Sequence, residues 1–185
     1  MFLALTVMAA SPYVPIYQAM PPRAVLARPV PELEYIAWMA GAWRCHTHSF
    51  AVGSTPSHDF GESTYTAKMV MRNALNRQRT WLQLADSASR DLSFITYDPM
   101  TKHWVVTGIE WPVSYGTSVG TIVGNKIVVI GDATVFGRQY RLRQTYTKLS
   151  NDAFKIFNEE QLPDGTWMPD DEYDFVRLKS KPHRF

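Results

Sequence analysis

From residue 60 to residue 179 the pattern of apolar side chains keeps a period of two, segment after segment, and the segments are joined by turns too short to hold a crossover helix. Residues 60–71, 78–85, 92–97 and 102–110 each read as a strand; in the second, Thr80, Leu82 and Leu84 take one face and Trp81 the other. Asp98-Pro99-Met100-Thr101 supplies a tight turn, because its proline sets φ at the second position. Residues 115–122 and 126–130 flank Val123-Gly124-Asn125, a tight hairpin turn, and 133–147 reads as one long, bent strand passing through Gly137. Two further turns, at 150–152 and 162–165, lead into strands over 153–160 and 166–179, the last with a point of interruption at Pro169.

Ahead of this series, residues 32–40 follow Pro31 and place Leu33, Ile36, Ala37 and Ala40 at helical spacing, which predicts one short helix ended by Gly41. The segment 42–50 then alternates, with Trp43, Cys45, Thr47 and Ser49 on one face and Arg44, His46, His48 and Phe50 on the other. About ten antiparallel strands in succession must twist, and closing the sheet removes its exposed edges. The expected fold is therefore all-β: an up-and-down barrel with the short helix plugging one end, with a two-sheet sandwich as the competing architecture.

At 185 residues the chain holds one domain large enough to bury its own core. Three regions are expected: a leader over 1–31, a barrel over 32–179 and a short basic tail over 180–185. Residues 1–10 form an apolar run too short to cross a bilayer as a helix, and 11–31 carry six prolines, which predicts an extended linker. The leader reads either as a signal-like segment, placing the protein in the periplasm or outside the cell if residues 1–19 are a signal, or as a disordered extension of a cytoplasmic protein. Stable membrane insertion is not expected. A formal charge of only +2, with the basic residues scattered, gives no footprint for nucleic acid. The single cysteine, Cys45, cannot form an internal disulfide.

The residues that carry the fold also carry a resemblance. The turn entering Gly41-Ala42-Trp43, the hairpin Tyr97-Asp98-Pro99-Met100-Thr101-Lys102, the turn Asp164-Gly165-Thr166-Trp167 and the closing strand from Tyr173 to Leu178 together resemble the calycin superfamily of lipocalins, fatty-acid-binding proteins and nitrobindins. Within it the likeness is greatest to a bacterial lipocalin-like family to which no function is assigned. The resemblance implies a barrel over 32–179 in which Trp43 packs against the closed end. Nitrobindins hold haem through a histidine on a strand near the C-terminus; here residues 167–179 contain none, so haem is not carried over and the cofactor is unknown.

His46 and His48 leave one strand face about 7 Å apart, from a rise of roughly 3.3 Å per residue. They could share a metal only with further ligands from His58, His103, Glu62 or Asp59, and no metal site is assigned. Cys45 points away from both histidines and reads as a buried structural thiol. Glu159 and Glu160 point to opposite faces, and Asp170, Asp171 and Glu172 read as solvating a loop or strand edge near Pro169. On the strand through 140–146, Arg141 and Arg143 leave one face while Tyr140, Leu142 and Tyr146 leave the other. Inward tyrosines would suit a small apolar or aromatic molecule with a polar end; inward arginines would suit a carboxylate. The apolar alternation favours the tyrosines.

The resulting expectation is a binding protein that takes a small hydrophobic or amphipathic molecule into the barrel lumen, with Tyr65, Trp104, Glu110, Trp111, Tyr140 and Tyr146 as ligand-binding residues and no catalytic residue assigned. The partner is that small molecule, and a homodimer is compatible with the sequence. The alternatives are an enzyme of the barrel cavity, either a haem isomerase of the nitrobindin kind or a cyclase or hydrolase using Glu110 and tyrosines, and a packed interaction domain without a ligand.

Overall fold

The computed structural model describes residues 23–52, 54–88, 90–111 and 114–179; the apolar run over 1–10 and the basic tail over 180–185 lie outside the described residues. The strands are β1 (Gly41–Ser49), β2 (His58–Arg72), β3 (Arg79–Asp86), β4 (Asp91–Asp98), β5 (His103–Glu110), β6 (Ser114–Val123), β7 (Lys126–Val135), β8 (Arg138–Lys148), β9 (Ala153–Gln161) and β10 (Trp167–Arg177). Each pairs antiparallel with its neighbours in sequence, and β1 pairs with β10, so the ten strands close into an up-and-down barrel with no free edge.

The bent strand expected over 133–147 is two strands. Phe136 (φ 49°) and Gly137 (φ 78°) are both left-handed, which makes a two-residue hairpin turn whose twist matches the strands it joins, and β7 runs unbroken through residues 131–132. Gly137 is the turn itself. Pro169 lies within β10, where the register with β9 shifts between Pro169 and Glu172, so the proline sits at an irregularity of the ladder. Part of the leader expected to be extended forms a single helical turn, α1 (Arg23–Leu26). The chain beyond it is tied to the β2–β3 turn by Asn76, whose amide donates to the carbonyls of Ala27 and Arg28 at 3.1 Å.

One end of the barrel is filled. A 3-10 turn (Pro31–Leu33) runs into α2 (Glu34–Ala37), and the helical spacing of Leu33 and Ile36, with Met39 beyond, buries all three against Trp43, Trp104, Phe154 and Phe175. Trp43 donates its indole N–H to Met39 O at 2.8 Å, satisfying the one polar atom of a fully buried ring. Arg177, at the end of β10, lies 4.1 Å over the Trp43 ring and donates to the carbonyls of Ala40 (2.9 Å) and Trp38 (2.5 Å), which otherwise end the helical segment unpaired. Phe154 and Phe175 stack with centroids 4.1 Å apart beneath this plug. Among the described residues no helix is long and apolar enough to cross a membrane.

Candidate functional site

The half of the barrel away from the plug is not filled, and the reason is local. On β5, β6 and β7 the residues that share the inward face include Gly108, Gly116, Ser118, Gly131 and Ala133, so these strands contribute almost no side-chain volume to the lumen. A Cβ on Gly120 would lie 1.8 Å from Val128 O, and one on Gly131 would lie 2.1 Å from Thr117 O. Only glycine permits β6 and β7 to approach so closely along this wall.

The space left is a cavity of about 260 Å³. A second compartment of about 280 Å³ adjoins it nearer β1 and β2, and Asp91, Glu110, Asp171 and Tyr173 line both. The main cavity has an apolar floor, Leu84, Val106, Ile156 and Phe175, which sits on the closed-end core. Above it come polar groups. Ser118 and Tyr146 are each only 7% exposed, and among the described residues neither hydroxyl has a hydrogen-bond partner. Asn158 donates to Asp171 Oδ1 at 2.6 Å, while its own Oδ1 is buried and unpaired. An unpaired buried polar atom is costly and uncommon in a packed interior, and Asn158 Oδ1, beside those two hydroxyls, suits a cavity that holds a ligand.

The mouth of the cavity is acidic. Asp91 and Glu110 are directly opposite across the β4–β5 ladder, and Asp170 and Asp171 enter from the start of β10. Burial raises the Asp91 carboxyl, against the hydrogen bond it accepts from Tyr65. Burial also raises Glu110, and the charges of Asp91, Asp86 and Asp170 add to the effect. Asp171 is pushed up to about 7, first by desolvation and then by Asp170 and Glu110, with Asn158 and Tyr173 acting in the other direction. The phenols of Tyr65, Tyr146 and Tyr173 are all held above the usual tyrosine range, chiefly by burial, and Asp91 adds to each. Tyr146 on β8 and Asp91 on β4 line the same cavity from different staves.

The residues expected to meet a ligand are partly gathered here. Tyr146 lines the main cavity, Tyr65 and Trp111 line the second compartment, and Glu110 lines both. Trp111 is 69% exposed, at the rim. Trp104 is buried in the plugged end against Tyr35 and Tyr97, and Tyr140 is half-buried on β8, outside both linings. The β8 faces are resolved: Leu142, Gln144 and Tyr146 line the cavity, while Arg141 and Arg143 lie on the other face, paired with Asp132 (3.1 Å) and Glu159 (2.5 Å). Asp170 and Asp171 do not simply solvate a loop. Asp171 alternates inward with Tyr173 and Phe175, the register shift after Pro169 brings Asp170 to the lumen beside it, and Glu172 faces outward to Lys155 at 2.7 Å. Asp91 and Ser118 had no part in the sequence expectation, although the alternating small residues at 114, 116, 118 and 120 foreshadow an under-filled wall.

His46 and His48 leave the outer face of β1. His46 Nε2 is 3.0 Å from Asp59 with the imidazole 42% exposed, and no group of three or more metal-ligating side chains occurs among the described residues. Cys45 is fully buried on the opposite face, its thiol pushed up to about 12 by desolvation. Among the described residues neither compartment is lined by a histidine, cysteine or methionine, and the lining tyrosines are held protonated. The lumen therefore does not fit a haem iron.

No protein-family model matches the chain, and no curated protein matches it. Among solved structures it is similar to the S-type phycobiliprotein lyase CPES from Guillardia theta, with 12% sequence identity and a TM-score of 0.41 over 87% of this chain and 100% of that one.

Proposed function

We propose that this barrel binds a small amphipathic molecule in its lumen. The observation that carries the reading is the cavity of about 260 Å³, with an apolar floor and with Ser118 and Tyr146, both more than nine-tenths buried, lining it without a hydrogen-bond partner among the described residues. A side-chain-filled interior, the packed-domain alternative, leaves no such space. Apolar area gives the affinity in a pocket of this kind, and a few fixed polar groups give the orientation.

Native mass spectrometry of the purified protein, followed by titration with neutral aromatic alcohols monitored by amide chemical shifts, tests the reading. Saturable shifts are expected at residues lining the cavity, and they are expected to vanish in Gly108→Leu. At Gly108 a Cβ meets nothing nearer than Ser93 Oγ at 3.4 Å, so the added side chain can be built without forcing backbone apart. Absence of both a co-purified ligand and saturable shifts overturns the proposal.

A further inference from the structure

The polar end of the ligand can be assigned a charge. Resting on the lumen-binding reading, we infer that the cavity takes a small organic cation, an ammonium, amidinium or guanidinium group on an apolar body, with its charged end between Asp91, Glu110 and Asp171 and its body on the Leu84–Phe175 floor.

The first argument is the register. Asp91 and Glu110 are direct cross-strand partners, an arrangement that costs stability when both are ionised. Asp171 faces the same space from β10 and lines both compartments with them. No internal cation offsets the three. Among the described residues no Lys, Arg or His lines the main cavity; in the second compartment Arg90 does, but it is 66% exposed and directed to Asp86 at 3.8 Å.

The second argument is independent of the carboxyls. Ser118 and Tyr146, both more than nine-tenths buried, line the same cavity, and among the described residues neither hydroxyl has a hydrogen-bond partner. A hydroxyl can accept from an N–H donor as well as donate, so both can complete the shell of a cation whose charge the carboxylates meet. Tyr146 and Tyr173 also line the wall, and aromatic rings attract a cation more than a neutral group.

Two other ligand classes fit less well. A carboxylate-ended molecule needs an inward guanidinium or ammonium, and Arg141 and Arg143 are engaged on the outer face. A bare metal ion needs several closely grouped ligands, and no group of three occurs among the described residues. An organic cation needs only charge at one end of a cavity whose floor takes its apolar body.

The test uses matched probes that share a body and differ in charge: benzylamine, benzyl alcohol and benzoate, with cyclohexylmethylamine and cyclohexylmethanol as a second pair. Affinities are measured on the full chain at pH 8 from the shifts of Ser118 and Tyr146. The amine is expected to bind at least about tenfold more tightly than its alcohol, and benzoate more weakly than either. Glu110→Gln and Asp171→Asn should each remove most of the amine's advantage while leaving alcohol affinity within about twofold, a readout that a merely structural role would not produce. Because Asp91 also accepts from Tyr65, Glu110→Gln is the primary variant, with circular dichroism verifying its fold. Equal binding of amine and alcohol overturns the cation assignment and leaves the lumen reading standing. Absence of binding by every probe overturns both.

Discussion

Tyr65 on β2 donates a 2.9 Å hydrogen bond to Asp91 Oδ2 on β4, reaching past the intervening strand β3. It is a direct polar link between non-adjacent staves at the mouth, and it holds the carboxylate that pairs across the ladder with Glu110. The bond stabilises the ionised form of Asp91 against the burial that raises it.

Tyr65→Phe should therefore raise the Asp91 carboxyl further and destabilise the barrel by about 1–2 kcal/mol at pH 8, where a buried carboxylate loses its donor. The loss should be smaller at pH 4, where the raised acid holds its proton more than at pH 8. Carboxyl-detected NMR titration and urea unfolding at both pH values measure this; an unchanged Asp91 titration would show that the hydrogen bond has no electrostatic role.

Stability should fall as pH rises. Asp171 is raised to about 7 from an ordinary 3.8, so between those values the folded chain holds a proton that the unfolded chain has released. The group thus favours folding at low pH and loses that contribution progressively up to pH 7, by at most about 4 kcal/mol. Asp91, Glu110 and Asp170 act in the same sense, while Asp59, Asp98 and Asp164, lowered at exposed turns, oppose it weakly. Calorimetry should give a higher Tm at pH 5 than at pH 8, and Asp171→Asn should raise the pH 8 value and flatten the profile. A Tm that climbs with pH over this range would contradict the assignment.

Arg177→Ala should cost about 3 kcal/mol, because it uncovers the Trp43 ring and leaves the carbonyls of Trp38 and Ala40 without donors. Arg177→Lys should recover only part of this, since an ammonium cannot reproduce the fork that reaches both carbonyls. Chemical denaturation of the three proteins supplies the comparison, and equivalence of Lys and Arg would remove the geometric argument.

Along the thin wall, Gly120→Ala should destabilise severely, by about 3 kcal/mol or more, because its Cβ would meet Val128 O at 1.8 Å. Gly108→Ala, with open contacts, should stay within about 1 kcal/mol of the parent and reduce cavity volume. Thermal unfolding of the pair distinguishes backbone approach from a general intolerance of glycine replacement.

Cys45 should be inert in the native state. It is fully buried with its thiol raised to about 12, so an aromatic disulfide reagent should react at the rate of unfolding rather than at the rate of a free thiol. Rapid labelling under native conditions would mean that β1 opens locally.

The sequence makes the barrel legible because a period of two and short turns leave antiparallel neighbours few other arrangements. It fails at residues 133–147, where Gly137 alone looks like a bend; that Phe136 also adopts positive φ is a tertiary outcome no propensity for phenylalanine would suggest. The site was less legible for two reasons. Trp104 and Tyr146 alternate inward alike, and only height along the barrel, set by the strand stagger, decides which joins the plug and which lines the cavity. Asp171 shares its face with Tyr173 and Phe175, but that Asp170 beside it also reaches the lumen depends on the register shift after Pro169, a local irregularity that alternation counting cannot place.

The seam between β1 and β10 also bears on how the molecule is made. Arg177 reaches Ala40, 137 residues earlier in the chain, so a ribosome must finish almost the whole domain before the first strand can find its last partner. Until then β1 presents an unpaired edge, and closure depends on contacts between the two ends of the domain. Contacts so far apart in sequence slow closure, and the interval before it is when the nascent barrel is most exposed to pairing with a second copy of itself.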